Sequence, residues 1–140
     1  MDSYTKNFDD WNKEKKLVNA SKKEVFAHPR EVWWCSLGIN IGSELDGKND
    51  NFERPVIIVR VYNKETMLVL PTTSKSKTDK FHLPIEIDVQ NPDTKEKFKR
   101  MVYVKLTQAR VISNKRLLRK VDVISESEFE RIHQAFKSFV

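Results

Sequence analysis

A run of four consecutive aliphatic residues, Val56 to Val59 within RPVIIVRVY, constrains the fold of this chain most strongly. A continuous aliphatic run of this length is typical of a strand that is buried on both faces. Other elements must therefore cover both of its faces. The remaining segments with strand-like patterns are EVWWCSLG, TMLVLP, LPIEIDV and RMVYVKLTQARVI, the last of which reads as one long strand or two strands joined by a bend.

The segment LPIEIDV shows a strict alternation of apolar and acidic side chains. Its apolar positions point one way and its acidic positions the other, as expected for a half-buried strand: Leu83, Ile85, Ile87 and Val89 against Glu86 and Asp88. The polar, turn-rich QNPDTKEKFK that follows reads as a connection. Several short strands separated by turns predict a mainly β fold, a small antiparallel barrel or curled sheet.

The end of the chain reads as helical. SNKRLLRK predicts a short helical turn capped by Ser113. SESEFERIHQAFKSFV opens with a capping box formed by Ser125 and Glu128. The aromatic and aliphatic residues that follow form one apolar stripe, which predicts a helix covering an open side of the sheet: Phe129, Ile132, Phe136 and Phe139.

Residues 1 to about 27 differ from the rest of the chain because they are dense in charge. Asp9 or Asp10 is the predicted cap of a helix beginning near Trp11, with Phe8, Trp11 and Val18 on one face. Such a helix cannot fold alone, so it is expected to dock on the main domain or on a partner. The alternative is a partly ordered tail. We predict an N-terminal helical extension over residues 1–27 and a barrel domain over residues 28–140.

The composition limits the possible functions. Lys and Arg number 26 against 20 Asp and Glu, and this net charge of +6 favours a polyanionic partner. The single cysteine, Cys35, excludes an intrachain disulfide and lies in an apolar strand, which predicts a buried, inert thiol. Neither a signal peptide nor a membrane-spanning stretch is apparent, so we expect a cytoplasmic protein. No metal-ligand spacing or phosphate-binding glycine loop is present, and no cofactor is expected.

Four fragments occur in an order that resembles the MazF/PemK family of toxin ribonucleases: VWWCSLGINIGSELDG, RPVIIVRVY, MLVLPTTSKSK and LTQARVISNKRLLRK. The resemblance covers roughly residues 30 to 139. It implies an SH3-like barrel with a C-terminal helix, a homodimer, and metal-independent, sequence-selective cleavage of single-stranded RNA. It also implies a cognate antitoxin as partner.

The resemblance also implies the site residues. The family's catalytic arginine falls on Arg54, its catalytic threonine on Thr73 with Thr72 one position away, and the glutamate of its G-S-E loop on Glu44. Its Q-x-R segment falls on Gln108 and Arg110, which are expected to support the site or the dimer contact.

RNA carries its own nucleophile, the 2′-hydroxyl, so cleavage needs a proton acceptor, a positive charge on the phosphorane and a proton donor. The guanidinium of Arg54 suits the charge role, and Pro55 restricts its backbone to extended geometry. The alternative is a surface arginine paired with Glu53. Thr73 is assigned to positioning, and Glu44 is a candidate general base or a structural cap.

Polar residues after the threonine pair are expected to contact the substrate, although a solvated turn would look the same: Ser74, Lys75 and Lys77. His82 lies on the same loop and is expected to be solvated.

The sequence departs from the family pattern in three places. KNDNFE is inserted before Arg54, Thr107 replaces a glutamate often found before the Q-x-R segment, and the N-terminal segment is extra. Two other functions remain open on the same barrel. One is a gyrase poison, although the C-terminal AFKSFV lacks the Trp that commonly anchors such a contact. The other is a non-catalytic RNA-binding module.

Overall fold

A computed structural model describes residues 5–22, 24–38, 40–41, 46–47 and 52–140 of the chain. Within these residues the chain forms two helices, seven strands and one turn of 3-10 helix at Asn114–Arg116. The helices are α1 (Phe8–Ala20) and α2 (Glu126–Lys137). The strands are β1 (Glu31–Ser36), β2 (Glu53–Val61), β3 (Thr66–Thr73), β4 (His82–Gln90), β5 (Lys97–Lys105), β6 (Arg110–Ser113) and β7 (Leu117–Val123).

All strand pairs in the sheet are antiparallel, and the order is β4-β5-β3-β2-β1-β7, with β6 also pairing with β3. The two ends of this order meet, because the amide of Asp88 on β4 donates to Asp122 Oδ2 on β7 at 3.0 Å. The sheet therefore curls until its first and last strands are in contact. This confirms the predicted small antiparallel barrel with a C-terminal helix.

Strand β2 lies between β1 and β3 and carries the aliphatic run that the sequence singled out. Val56, Ile57 and Ile58 are fully buried. Val56 and Ile58 pack in one apolar cluster with Cys35, whereas Ile57 packs in a second cluster with Leu70. The strand is thus buried on both faces, as predicted, and its backbone has a fixed position at the centre of the fold.

Two element predictions were wrong. In SNKRLLRK only Asn114–Arg116 is helical, and Leu117–Val123 is a strand that pairs with β1. Ser113 does cap the short turn by accepting from the amide of Lys115, but pairing with β1 then overrides the local helical pattern. The predicted polar connection after β4 is also shorter than expected, because β5 begins at Lys97.

The C-terminal helix agrees with its prediction. Ser125 Oγ accepts from the amide of Glu128 at 3.2 Å, which is half of the expected capping box. Ile132 is buried in the second cluster, with Phe129 and Phe136 packed against it, while the ring of Phe139 contacts Phe81. Neither helix in the described part of the chain is long and apolar enough to span a membrane.

Helix α1 begins earlier than predicted and has a different cap. Asn7 is the N-cap, and its side chain accepts from the amide of Asp10. The predicted apolar face holds for Trp11, which is buried, but not for Phe8, which is half exposed. The helix is docked on the barrel through Trp11, which contacts Phe52 and Arg116.

A close contact with Gly38 lets Trp11 enter the barrel surface. Gly38 has a φ of +79°, and a Cβ there would come within 2.1 Å of the Trp11 ring. The same ring meets Phe52, from the inserted segment, edge-on at a centroid distance of 5.5 Å. The guanidinium of Arg116 lies 5.8 Å from the centroid of the Trp11 ring. One tryptophan therefore joins the N-terminal helix to three parts of the barrel.

We expect Trp11→Ala to release α1 from the barrel and to cost about 3 kcal/mol of the free energy of unfolding, since a large buried aromatic is removed. Urea unfolding and limited proteolysis within α1 measure these effects. Leu17→Ala is the matched control, because Leu17 lies on the same helix but is exposed. Equal protease resistance of Trp11→Ala and Leu17→Ala would contradict this docking.

Candidate functional site

Arg54 lies near the start of β2, where it opposes Cys35 of β1. Its Nε donates to the carbonyl oxygen of Asp46 at 2.5 Å, and its Nη1 donates to the carbonyl oxygen of Thr72 at 3.3 Å. The first bond reaches the loop before β2 and the second reaches the end of β3. These two bonds orient the guanidinium between the loop before β2 and the end of β3.

The two threonines at the end of β3 use their hydroxyl groups differently. Thr72 Oγ1 donates its hydrogen bond to the carbonyl oxygen of Pro55, on the backbone of β2, at 2.9 Å. Thr73 Oγ1 accepts from the amide of Lys75 at 3.2 Å, which leaves its own proton for another acceptor. Both residues are buried. The structure thus places both threonines at the end of β3, where the carbonyl of Thr72 meets Arg54.

A cavity of about 120 Å³ adjoins Arg54, and we call it the Arg54 cavity. Thr72 and Ser74 contribute to its lining, and Thr73 does not. Most of the other lining residues are apolar, and the full remaining set is Trp34, Glu53, Arg54, Pro55, Ile87, Val89, Arg100, Val102 and Val121. A charged group in such surroundings interacts strongly with any partner, because little water screens it.

Glu53 is the acidic residue in this lining. Its Oε1 accepts from Arg119 Nη2 at 3.2 Å, so the alternative in which Glu53 pairs with Arg54 is wrong. Its Oε2 is buried and has no hydrogen-bond partner. Ser36, which opposes Glu53 across the β1–β2 pair, also has a buried hydroxyl without a partner.

Several residues predicted for the site lie elsewhere. Lys75 and Lys77 follow β3 and do not line the Arg54 cavity. Arg110 donates to the carbonyl oxygen of Leu37 at 3.4 Å and so supports the end of β1. Gln108 lies in the turn between β5 and β6. Glu44 lies outside the described residues.

His82 also lies away from the cavity, at the start of β4. Its Nδ1 is 2.7 Å from Asp79 Oδ1. The hydrogen bond with His82 lowers the pKa of the Asp79 carboxyl.

A basic groove of about 840 Å³ adjoins the Arg54 cavity. The two share Trp34, Val89, Arg100 and Val121. Five cationic side chains and a half-exposed aromatic ring line the groove: Lys95, Lys97, Arg100, Arg119, Lys120 and Phe98. This combination of cations and an aromatic surface suits a flexible polyanion with stacking bases.

The sequence prediction missed Arg100, Arg119 and Glu53. Arg100 followed a segment interpreted as a connection, and Arg119 lay in a segment interpreted as helical. In the structure the guanidinium of Arg119 lies 4.9 Å from the Trp34 ring and bridges the groove and the cavity. A strand interpretation of LLRKVDV would have been the signal for it.

No group of three or more His, Cys, Asp and Glu residues with metal-binding geometry occurs in the described part of the chain.

Cys35 lies directly opposite Arg54 but faces the apolar cluster. Burial raises the pKa of its thiol to about 12, although the charges of Arg116 and Arg110 act in the opposite direction. The thiol is therefore neutral at physiological pH, which confirms the predicted inert cysteine.

Residues 28–140 match the model of a protein family described as the PemK-like, MazF-like toxin of type II toxin-antitoxin systems. The chain belongs to this PemK/MazF-like toxin family. A comparison of the sequence with curated proteins gave no match.

Solved structures with the same fold include three mycobacterial proteins. The Mycobacterium tuberculosis toxin MazF-mt6 aligns with a TM-score of 0.56 at 15% identity, covering 78% of this chain and 94% of that one. An endoribonuclease in complex with its cognate antitoxin, from a mycobacterial species, gives 0.52 at 14% identity, covering 80% and 92%. A third, a mycobacterial endoribonuclease, gives 0.53 at 11% identity, covering 84% and 93%. At these identities the PemK/MazF-like toxin shares their fold.

We expect the thiol of this PemK/MazF-like toxin to resist alkylation by iodoacetamide at pH 8 in the native state, because Cys35 is both buried and neutral there. Mass spectrometry should detect one added group per chain only after denaturation. Rapid labelling of the native protein would contradict the burial of Cys35.

Proposed function

We propose that this chain is the toxin of a type II toxin-antitoxin system and acts as an endoribonuclease. It cuts single-stranded RNA in a sequence-selective way, without a metal ion, by attack of the 2′-hydroxyl on the adjacent phosphate. The observation that carries the proposal is the position of Arg54, a charge held by backbone carbonyls where a cavity adjoins a basic groove. Family membership and the mycobacterial endoribonucleases of the same fold support it.

The proposed reaction places the scissile phosphate against the guanidinium of Arg54. A positive charge there stabilises the phosphorane, whose negative charge grows as the 2′-oxygen attacks. Thr73 is proposed to donate a hydrogen bond from its hydroxyl to the RNA at the end of β3, beside the Arg54 cavity, while Thr72 holds the end of β3 on β2. The products are a 2′,3′-cyclic phosphate and a 5′-hydroxyl.

The flanking RNA is proposed to lie along the basic groove. Its cationic side chains neutralise phosphates on either side of the scissile bond. Trp34 and Phe98 offer ring surfaces on which bases stack. Lys75, Lys77 and Ser74 extend the polar surface beyond β3 and remain proposed RNA contacts.

The proposed protein partners are a cognate antitoxin and a second copy of the chain. One mycobacterial neighbour of the same fold is an endoribonuclease in complex with its cognate antitoxin. Gln108 and Arg110 are proposed to support the homodimer contact or the site, and Glu44 remains a proposed general base or loop cap. Residues 1–27 are proposed to be an extension that braces the barrel of residues 28–140.

We expect the purified protein to cleave a mixed-sequence single-stranded RNA in EDTA, and Arg54→Ala to lower the cleavage rate by about 100-fold or more, because the phosphorane loses its charge partner. Gel analysis and end-group mass spectrometry measure the rate and the cyclic phosphate. Arg54→Lys is the matched control and should retain part of the activity, since it keeps the charge without the fork. Intact RNA with the wild type, or full activity of Arg54→Ala, would refute the proposed reaction.

We expect Lys97→Ala to weaken binding of an uncleavable 2′-O-methyl RNA and to reduce the slope of log affinity against log salt by about 1, as for loss of one phosphate contact. Fluorescence anisotropy across a salt series measures both. Lys137→Ala, on α2 and away from the groove, is the control. An unchanged slope for Lys97→Ala would show that the RNA takes another path.

A further inference from the structure

Glu53 is a buried acid beside the arginine of the proposed site. It is the first residue of β2 and directly precedes Arg54. Its side chain is only 5% exposed. Both residues line the Arg54 cavity, so a group bound there can meet the carboxylate and the guanidinium together.

The two oxygens of Glu53 have different surroundings. Oε1 accepts from Arg119, whereas Oε2 is buried without a hydrogen-bond partner. The other walls of the cavity that Glu53 lines include Ile87, Val102 and Val121. A buried carboxylate oxygen is costly unless a donor reaches it. An ionised carboxylate can only accept hydrogen bonds, so the missing partner must be a donor.

Glu31, a second buried acid, shows what a purely structural carboxylate looks like in this fold. Its Oε1 accepts from the amide of His28 at 2.8 Å and from the indole of Trp33 at 3.0 Å, and its Oε2 lies 3.5 Å from Lys120 Nζ. Burial raises the pKa of this carboxyl. The hydrogen bonds from Trp33 and His28 and the charge of Lys120 together lower it by more, so the net shift of the pKa is downward. Both oxygens of Glu31 are satisfied within the fold, whereas one oxygen of Glu53 is not.

We propose that Glu53 is the catalytic proton acceptor of this site, with Arg119 as its positioning residue, an inference that rests on the proposed ribonuclease function. The ribose 2′-hydroxyl is the donor that the unpartnered oxygen lacks. A phosphate oxygen would not fit there, because it carries negative charge, and it goes instead to Arg54.

The proton of the 2′-hydroxyl moves to Glu53 Oε2 as the 2′-oxygen forms a bond to phosphorus. The bond between phosphorus and the 5′-oxygen breaks, and that oxygen takes a proton from solvent water. Glu53 then returns its proton to solvent, and Arg119 holds Oε1 throughout so that Oε2 keeps its direction.

The test compares Glu53→Gln with the wild type in single-turnover cleavage at saturating enzyme from pH 5 to pH 9. Loss of a general base lowers a rate by about 100-fold or more. We expect Glu53→Gln to show this loss and to lack the acid limb, which is the fall in cleavage rate at acid pH. Its affinity for 2′-O-methyl RNA should stay within threefold of the wild-type value. Glu31→Gln is the matched control, since it also neutralises a buried acid, at the start of the neighbouring strand β1. This variant should retain the wild-type cleavage rate and the acid limb.

Three further variants separate catalysis from support of the fold. Glu53→Asp retains a carboxylate one methylene shorter, so it should cut slowly but keep the acid limb. Arg119→Ala should lower the single-turnover rate at saturating enzyme, because Glu53 Oε1 loses the donor that orients the carboxylate. Arg119→Lys keeps a cationic donor and should recover part of that rate, which a merely structural role for Arg119 would not predict.

The outcomes distinguish this inference from the proposed function. Cyclic phosphate products from the wild type, together with an undiminished rate or a retained acid limb in Glu53→Gln, overturn the role of Glu53 alone. Equal losses in Glu53→Gln and Glu31→Gln also overturn it. A wild type that leaves RNA intact overturns the proposed function and this inference with it.

Discussion

The hydrogen bonds from Arg54 to the carbonyl oxygens of Asp46 and Thr72 set the geometry on which the rest of the site depends. They join three segments, the loop before β2, β2 itself and the end of β3, around one guanidinium. Strand β2 can serve as the anchor because its next residues, from Val56 to Ile58, are buried on both faces. The charge is therefore positioned by a strand whose centre is fully buried, and a bound phosphate would not have to reorganise it.

Much of the fold could be predicted from the sequence because its signals are local. The aliphatic run of β2, the alternation of β4 and the Ser125 cap of α2 each occupy a few consecutive residues. β7 could not be predicted in this way, because LLRKVDV lacks clear alternation and follows a sequence that does cap a helical turn. Its strand conformation comes from pairing with β1, which is tertiary information.

In the candidate site too, residues in local motifs could be predicted from the sequence, whereas residues brought together by strand pairing could not. Arg54 and the threonine pair were predicted because the order of short motifs resembles a known family. Glu53 and Arg119 were not, since 66 positions separate them in sequence and their contact exists only because β1 pairs with both β2 and β7. The basic groove has the same origin. Its cations lie on β5, on β7 and in the turn before β5, which become neighbours when the sheet curls.

A short series of contacts links the residues just before the N-terminal helix α1 to Arg54. Lys6 Nζ bonds to the carbonyl oxygen of Asn40 and lies 3.2 Å from Asp46 Oδ2, and the carbonyl of Asp46 holds Arg54. Lys6, which precedes the matched family region, is therefore linked to Arg54 through one intervening residue, Asp46. A purification tag or reporter protein fused to residue 1 would lie only five residues before Lys6 in the chain, whereas one fused after the exposed Val140 would be remote from it in sequence.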